Sequence, residues 1–412
     1  MHIEFSSSPN ASLGVEWELQ VVDPQTRGLV NAASDMLAEM TGPDREEHPK
    51  AKHELFETTV EIITGVCQTV SEAMEDLAGT VAELSAVAEK RGLALACAGS
   101  HPTAHWTAME VSPNERYHRL VQDMQWMARR LLIFGVHVHV GVRSPEKAVP
   151  VVNALTAYVP HFLALSASSP YWESQDTGLA SARSKVFESL PTAGLPEPLD
   201  DWEQFERFMG TLVTAGTIET VREVWWDIRP HPDFGTVELR VCDGIPTLAE
   251  VGAVAALTQC LVHQLDTQID RGYQLPKPST WVTTQNKWRA ARYGLDAQVI
   301  VDEQGTTRPV RDLLAELVED LRPVARRLGC EDELASVLDV LERGASYERQ
   351  RAVALQHDGD LDPVVDLLLR EFAAGRPEEV PGVQEARVAG AERQVAEDDS
   401  PSDDAQEGAG GH

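Results

Sequence analysis

The sequence predicts an α+β fold in which a mainly antiparallel sheet of about six strands is backed by helices and followed by a helical C-terminal part. Two observations predict it. Segments with the period-two alternation of strands are interleaved with segments of helical periodicity. Several of these strands carry similar polar side chains on one face and apolar side chains on the other, which is typical of an antiparallel sheet with one covered face.

The predicted strands with two unlike faces are residues 13–21, 56–62, 136–142, 224–229 and 236–242. Residues 93–98 are apolar on both faces and are expected to form a central or covered strand. Helix starts are predicted at Ser71, at Ser112 before Pro113, at Ser144 before Pro145, and at Thr247, where Glu250 would complete a capping box. After Ser279 the chain is expected to be almost wholly helical to about residue 374.

Composition indicates one globular domain with a polar tail. Of the 412 residues, 42% are apolar and 25% are charged, which are ordinary values for a folded protein. We expect the domain to cover residues 1–375. Residues 376–412 are rich in Pro, Gly, Ala, Gln and acidic residues and are predicted to form an acidic disordered tail, because they have too little apolar surface to bury.

The net charge limits the partners of the protein. Lys and Arg number 35 and Asp and Glu number 66, which gives a net charge of −31 that would repel nucleic-acid phosphates and anionic lipid. No apolar run is long enough for a membrane span, and the N-terminus lacks the features of a signal peptide. We therefore expect a cytoplasmic protein without nucleic-acid or membrane partners, and a homodimer by base rate.

The cysteines give no sign of a metal knuckle or a disulfide framework. They are few, odd in number and widely spaced, without a CxxC pair: Cys67, Cys97, Cys242, Cys260 and Cys330. We interpret them as small buried hydrophobic residues.

The polar faces of four predicted strands carry acidic and imidazole side chains almost exclusively. These residues are Glu16, Glu18, Glu57, Glu61, His137, His139 and Glu238. A face that only meets solvent would also carry Lys, Thr and Gln. Taken alone, each acidic segment fits a solvated surface pair, and the His137/His139 pair fits a ligand or catalytic role and a structural role equally well. Independent surfaces, however, have no reason to share one chemistry. In a single sheet these carboxylates would repel one another unless a cation lay between them.

The pattern therefore predicts a divalent metal site. Carboxylates dominate and thiolates are absent, which favours Mg²⁺ or Mn²⁺ over zinc. Mg²⁺ held by few protein groups usually completes its shell with substrate phosphates, which indicates ATP. Arg240 lies on the face of Glu238 and could meet a phosphate or carboxylate oxygen, and Arg229 and Asp227 could border the same site. The chain has no Walker A loop and no GxGxxG, so ATP would bind through metal on a sheet.

At these residues the chain resembles a known family. The segments are GVEWELQVVDP (14–24), ELFETTVEIITGVC (54–67), GSHPTAHW (99–106), GVHVHVGV (135–142), RPHPDFGTVELRVCD (229–243) and NKWRAARYGLDA (286–297). In this order they are similar to the carboxylate-amine ligase family of type 2 glutamate–cysteine ligases, which are related to glutamine synthetase in their catalytic sheet. The segments span nearly the whole chain before the tail.

The resemblance implies an antiparallel sheet curved into a funnel, with ATP, Mg²⁺ and an amino acid at its mouth. By motif position it implies a metal and ATP-phosphate shell of Glu16, Glu18, Glu61, His137 and Glu238. It implies Arg240, His139 and Glu57 as catalytic groups. It also implies Arg229, Arg240, Arg289 and Arg292 as nucleotide-binding arginines.

The resulting hypothesis is ATP-dependent amide formation through an acyl phosphate, with glutamate and cysteine as the small-molecule substrates. Two alternatives stay open: a metal-dependent amidohydrolase, because of the HxH motif at His137 and His139, and a non-catalytic metal- or nucleotide-binding protein. Replacing Glu61 or Glu238 by Ala is expected to abolish turnover and leave the fold intact, because it removes a repelling charge.

Overall fold

The computed structural model of the 412-residue chain describes residues 1–42, 45–384 and 387. The first residues of the predicted tail contact the domain: Val383 is buried, and Arg387 Nε donates to Glu348 Oε1 at 2.7 Å. Residues 388–412 lie outside the described residues, so the disorder predicted for that stretch stays a prediction.

One sheet organises the molecule. The strands of the chain are β1 Leu13–Val22, β2 Ala51–His53, β3 Thr59–Ile63, β4 Ala94–Ala96, β5 Val136–Gly141, β6 Tyr171–Trp172, β7 Gln175–Asp176, β8 Ile228–His231, β9 Thr236–Leu239, β10 Gln298–Ile300 and β11 Thr307–Pro309. Seven of them form a sheet in the order β2-β3-β1-β5-β9-β8, with β4 also paired to β1, and every pairing is antiparallel. The predicted α+β class is confirmed.

Helices make up most of the rest of the described fold, and only some of them pack against this sheet. They are α1 Ala33–Thr41, α2 Val70–Lys90, α3 Glu115–Met124, α4 Trp126–Arg129, α5 Pro145–Leu155, α6 Val159–Ser166, α7 Ala182–Phe187, α8 Trp202–Thr214, α9 Leu248–Asp270, α10 Thr280–Tyr293, α11 Val310–Leu328, α12 Glu331–Arg343, α13 Ser346–Gln356 and α14 Asp362–Ala374. Helices α2, α5 and α9 contact the sheet directly. The alternating valines of β5, and Trp17 of β1, are buried in the core that they form.

Several predicted strands are shorter in the structure. Residues 236–242 form a strand only over β9, which ends at Leu239, and residues 93–98 only over β4. The strand expected at residues 56–62 begins only at Thr59, because Glu57 and Thr58 form the turn that connects β2 to β3. The strand expected at residues 224–229 is confined to β8, which begins at Ile228. In these last two places the alternation of the sequence continues into a turn or loop, where it no longer sets which face a side chain occupies.

Helix starts were predicted correctly where the capping residue directly precedes the helix. Ser144 precedes α5, and the Thr247 hydroxyl accepts a hydrogen bond from the Glu250 N–H at the start of α9. The other two starts were wrong. Helix α2 is capped by Thr69, whose partner three residues on is a glutamate, and α3 is capped by Asn114, whose side chain accepts from the Arg116 N–H.

The C-terminal region is mainly helical, as predicted, but it also contains the β10-β11 hairpin. The hairpin loop includes Gly305, which adopts φ 84°, a conformation that glycine tolerates. The hairpin begins with a short apolar run. Such a run is also typical of the end of a helix, so residues 298–309 were wrongly predicted to be helical.

Two helical stretches, Pro145–Ser166 and Leu248–Asp270, are long and apolar enough to cross a membrane, but 78% of each apolar window is buried in the fold. They are therefore core helices. All five cysteines are free and buried, as predicted, and the sulfurs of Cys260 and Cys330 lie 3.6 Å apart.

Candidate active site

The register of the sheet places the predicted polar side chains in three rows. The first row crosses β2, β3 and β1 at Lys52, Glu61 and Glu18; the second crosses β1 and β5 at Glu16 and His137; the third crosses β5, β9 and β8 at His139, Glu238 and Arg229. Directly opposite side chains in an antiparallel pair are close neighbours. The pairing therefore brings together groups that are far apart in the sequence.

Two groups of potential metal ligands form on these rows. Ligand atoms of Glu16, His137 and Glu238 lie within 4.8 Å of one another, and so do those of Glu18, Glu61 and His137. The groups share His137. Carboxylate oxygens with a single imidazole are a donor set that suits Mg²⁺ or Mn²⁺, so the residues fit the predicted metal.

The first group is internally hydrogen-bonded. His137 Nδ1 lies 3.0 Å from Glu16 Oε2, and burial, followed by the charge of Arg240, lowers the pKa of His137 to about 4. A neutral imidazole at ordinary pH has a lone pair available for a cation. Burial opposes ionisation of Glu16, but the charges and hydrogen bonds of His139 and His137 outweigh it and lower the pKa of Glu16.

His139 is held between two rings and two carboxylates. Its Nδ1 lies 3.0 Å from Thr236 Oγ1, and its ring meets the rings of His231 and Phe234 at centroid distances of 5.4 and 5.7 Å. Its Nε2 lies 3.3 Å from Glu16 Oε1 and 3.8 Å from Glu238 Oε1. Burial lowers the pKa of His139, but the two carboxylates outweigh it and the net pKa is raised.

Glu238 binds both predicted arginines of its hairpin. Arg229 Nε donates to Glu238 Oε2 at 2.7 Å, and Arg240 Nη1 donates to Glu238 Oε1. The side chain of Glu238 is only 1% exposed. Burial raises its pKa, but the two guanidinium groups outweigh burial and lower the pKa well below its ordinary value. Glu238 is therefore both a potential ligand and the counter-ion of two buried cations.

The second group lies in a set of carboxylates that repel one another. Burial and then the charge of Glu54 raise the pKa of Glu18 to about 8. Burial and the charges of Glu16, Glu54 and Glu18 raise the pKa of Glu61 well above its ordinary value, and burial also raises the pKa of Glu54. Such a set is stabilised when a cation binds.

This gives a prediction for pH and metal. A carboxyl whose pKa rises from 4.5 to about 8 on folding holds its proton in the folded protein and loses it in the unfolded one, so its contribution to stability falls as the pH rises between those values. We expect the increase in melting temperature caused by Mg²⁺, relative to EDTA, to grow between about pH 5 and pH 8. Scanning calorimetry at several pH values measures it, and an increase that is constant or falls with pH would contradict the cluster.

The first two rows and Arg229 of the third line a cavity of about 1260 Å³, whereas His139 and Glu238 are buried next to these residues and do not line it. Its cationic lining residues are Arg45, Lys52, Arg116, Arg119, Arg183, Arg222, Arg229 and Arg240. Among them, Arg45, Arg116 and Arg183 form no ion pair with any carboxylate of the described residues. In a chain with a net charge of −31, cations around these potential metal ligands favour a polyanionic ligand.

Not every predicted site residue lies in the cavity. The Glu57 carboxylate caps α1, where it accepts from Ser34 N at 3.0 Å and from Ser34 Oγ at 2.7 Å. Arg289 donates to the Gln298 carbonyl beside β10, and Arg292 donates to the Gly178 carbonyl. None of the three lines the cavity. The structure thus brings together Glu16, Glu18, Glu61, His137, His139, Glu238, Arg229 and Arg240, and places Glu57, Arg289 and Arg292 elsewhere.

Most of the cavity lining was not predicted from the sequence, and four of the missed residues bear on the chemistry: Glu54, Arg116, Tyr117 and Arg183. Glu54 lies within the quoted segment 54–67 but before the predicted strand, so the alternation argument did not reach it. Arg183 lies in the short helix α7, with no pattern around it that distinguishes it from a surface arginine. Only the tertiary structure brings these residues to the sheet.

Comparisons with known proteins support one family. Residues 12–366 match the model of glutamate–cysteine ligase family 2. A relative from Frankia alni with the provisional name glutamate–cysteine ligase 2-1 is 65% identical over 378 residues, which are 92% of this chain and 99% of the relative. A relative from Mycobacterium tuberculosis with the provisional name glutamate–cysteine ligase 2 is 48% identical over 370 residues, covering 90% of this chain and 97% of the relative.

Solved structures share the fold at low identity. A glutamate–cysteine ligase of Francisella tularensis in complex with AMP has a TM-score of 0.63 at 15% identity and covers 97% of each chain. A bifunctional glutathione synthetase from Pasteurella multocida has a TM-score of 0.58 at 16% identity, over 88% of this chain and 51% of the other.

Proposed function

The chain belongs to glutamate–cysteine ligase family 2, as its motifs predicted, and on that premise we propose that it is an ATP-dependent ligase that joins a carboxylate to an amine. We further propose the γ-carboxylate of L-glutamate as the acid and L-cysteine as the amine. The observation that carries the proposal is the convergence of two potential cation sites on His137, which lines a cavity together with eight Lys and Arg side chains and a similar number of carboxylates.

The metal would be held by Glu16, His137 and Glu238 and by Glu18, Glu61 and His137. Bound there, it would screen the charge of the nucleotide phosphates. The chain's own residues supply the remaining contacts to the transferring phosphoryl group. Arg240, whose Nε has no hydrogen-bond partner, lines the cavity beside Glu238 and is suited to contact the transferring phosphoryl group.

The proposed reaction has two displacements. An oxygen of the substrate carboxylate attacks the γ-phosphorus of ATP, the bond from that phosphorus to the β–γ bridging oxygen breaks, and ADP leaves. The amine nitrogen then attacks the carbonyl carbon of the acyl phosphate, the bond from that carbon to the phosphate oxygen breaks, and phosphate leaves.

The proton on the attacking nitrogen needs an acceptor. Glu54 is suited to this role because it lines the cavity and belongs to neither ligand group, and burial raises its pKa. His139, which motif position also implied, contacts Glu16 and Glu238 but does not line the cavity, and its raised pKa makes it a poorer acceptor than Glu54. Glu57, although implied by motif position, is hydrogen-bonded to α1 and does not line the cavity.

The test measures ADP release with Mg²⁺, glutamate and cysteine, with each component omitted in turn, and identifies the product by mass spectrometry. We expect ADP formation that requires both amino acids and the metal, with γ-glutamylcysteine as the product. Cleavage of an amide without ATP would indicate the hydrolase alternative. Nucleotide binding without turnover in any pair of amino acids would indicate a binding protein. Turnover with another pair of amino acids would support the proposed ligase reaction but assign it different substrates.

The proposed partners are these small molecules. A cytoplasmic location and a homodimer remain proposals, the first consistent with the burial of the two apolar helical stretches and the second based on size alone.

A further inference from the structure

Arg183 is a buried cation that forms no ion pair with a described carboxylate, and its charge acts only at longer range on the buried carboxylates of Asp243 and Glu18. The residue is only 3% exposed, and no carboxylate of the described residues lies within ion-pair distance of it. Arg349, which is equally inaccessible, forms bidentate pairs with both Glu250 and Glu371. Burying an unpaired guanidinium is costly, so a protein that retains one usually brings an anion to it.

The N–H donors of the Arg183 side chain are also only weakly hydrogen-bonded. Its Nη1 and Nη2 reach the backbone carbonyls of Val241 and Arg240 at 3.4 Å each, near the limit of a hydrogen bond. Its Nε has no partner. The guanidinium therefore keeps hydrogen-bonding capacity for a ligand in the cavity that it lines.

The position of Arg183 continues the first row of the sheet. Glu18 pairs across β1 and β5 with Gly135, whose N–H donates to Glu18 Oε2 at 2.5 Å. A Cβ built on Gly135 would overlap Nη2 of Arg183 and lie 3.2 Å from His137 Nε2. The guanidinium thus fills the place of a side chain on β5, next to the ligand that both metal groups share.

Its backbone is held by a buried network. The Asp243 carboxylate accepts hydrogen bonds from Ser181 Oγ and Ser169 Oγ, each at 2.7 Å. Ser169 Oγ in turn accepts from the Arg183 N–H at 3.0 Å. The start of α7 is therefore anchored, and the guanidinium is positioned before a ligand arrives.

We propose that Arg183 binds an oxyanion of the reacting substrates, beside His137. The inference rests on the proposed function for the identity of that oxyanion, which is either a phosphoryl oxygen of the nucleotide or a carboxylate oxygen of the amino acid. Both offer the planar or tetrahedral oxygen pair that a guanidinium binds in bidentate fashion.

The test compares Arg183→Met and Arg183→Lys with Arg207→Met, which removes an exposed, ion-paired arginine on α8. Melting temperatures are measured without ligand, with Mg·ADP and inorganic phosphate, and with Mg²⁺ and glutamate. We expect the ligand-free melting temperature of Arg183→Met to fall by no more than a few degrees, because no ion pair is broken and only the longer-range attraction to Asp243 and Glu18 is lost. In Arg183→Met, we expect the increase in melting temperature caused by the bound probe to fall by at least half. In Arg207→Met, this increase should equal that of the wild type.

The two probes distinguish the sources. A lost shift with ADP and phosphate assigns Arg183 to the phosphoryl group, and a lost shift with glutamate assigns it to the carboxylate. Where turnover is measurable, KM for that substrate should rise about 10- to 100-fold in Arg183→Met, and added guanidinium chloride at millimolar concentration should restore part of it. Gly135→Ala, which displaces the guanidinium, should reproduce the loss.

If Arg183→Met has a lower ligand-free melting temperature but is stabilised by the probes as much as the wild type, Arg183 has a structural role and the proposal is overturned. So would a wild-type protein that neither probe stabilises. These measurements need no turnover, so a wild type that fails to release ADP would end the proposed function and leave the result on Arg183 standing.

Discussion

Glu61→Gln is expected to reduce ADP formation by about 10²- to 10³-fold and to raise the melting temperature of the metal-free protein. Glu61 lies opposite Glu18 in the first row and belongs to the second ligand group. Burial and three neighbouring carboxylates raise its pKa well above the ordinary value, so removal of the group relieves repulsion when no cation is present. ADP release and calorimetry in EDTA measure the two effects.

Glu197→Gln serves as the control, because Glu197 is exposed and does not line the cavity. It should leave both quantities unchanged. Wild-type turnover in Glu61→Gln would show that the second ligand group has no part in the reaction. A lower melting temperature in EDTA would show that the cluster is not mutually repulsive.

Glu238→Gln is expected to abolish turnover and also to destabilise the protein by about 3–5 kcal/mol, because it leaves two buried guanidinium groups without a counter-ion. Those groups belong to Arg229 and Arg240, which both donate to the Glu238 carboxylate. Urea unfolding measures the loss. This differs from the prediction from sequence, in which replacement of Glu238 leaves the fold intact, because the alternation pattern contains no information on ion pairs.

The double variant Glu238→Gln with Arg240→Met tests whether the unpaired guanidinium groups cause this loss of stability. Removing one of the two unpaired cations should recover part of the lost stability without restoring activity. If Glu238→Gln unfolds at the same urea concentration as the wild type, the ion pairs contribute nothing and the stability argument fails. If the double variant is less stable than the single one, Arg240 has a structural role of its own.

The strand pattern predicted much of the candidate site. Within β1, β5 and β9, side chains two residues apart share a face, so the alternation in the sequence already separated Glu16, Glu18, His137, His139 and Glu238 from the valines of the core. The uniform chemistry of those faces predicted that they meet around a cation. Local spacing contains this information because the strand has a period of two wherever it is regular.

In turns, alternation along the sequence no longer predicts which face a side chain occupies. Glu57 follows the same alternation as Glu61, but it lies in the turn between β2 and β3 and faces α1. Arg183 gives no local signal at all, and it reaches the site because Gly135 leaves room above β5 for a side chain from α7.

Which faces carry the chemistry, and which helices and strands supply them, could be predicted from local patterns because these properties depend on neighbours within a few residues. That Glu18 lies opposite Glu61, that Glu238 binds two arginines and that Arg183 lies over Gly135 follows from the packing of distant segments. Register and cross-strand contacts depend on how distant segments pack, and a one-residue slip in register would turn every polar side chain of a strand to its other face.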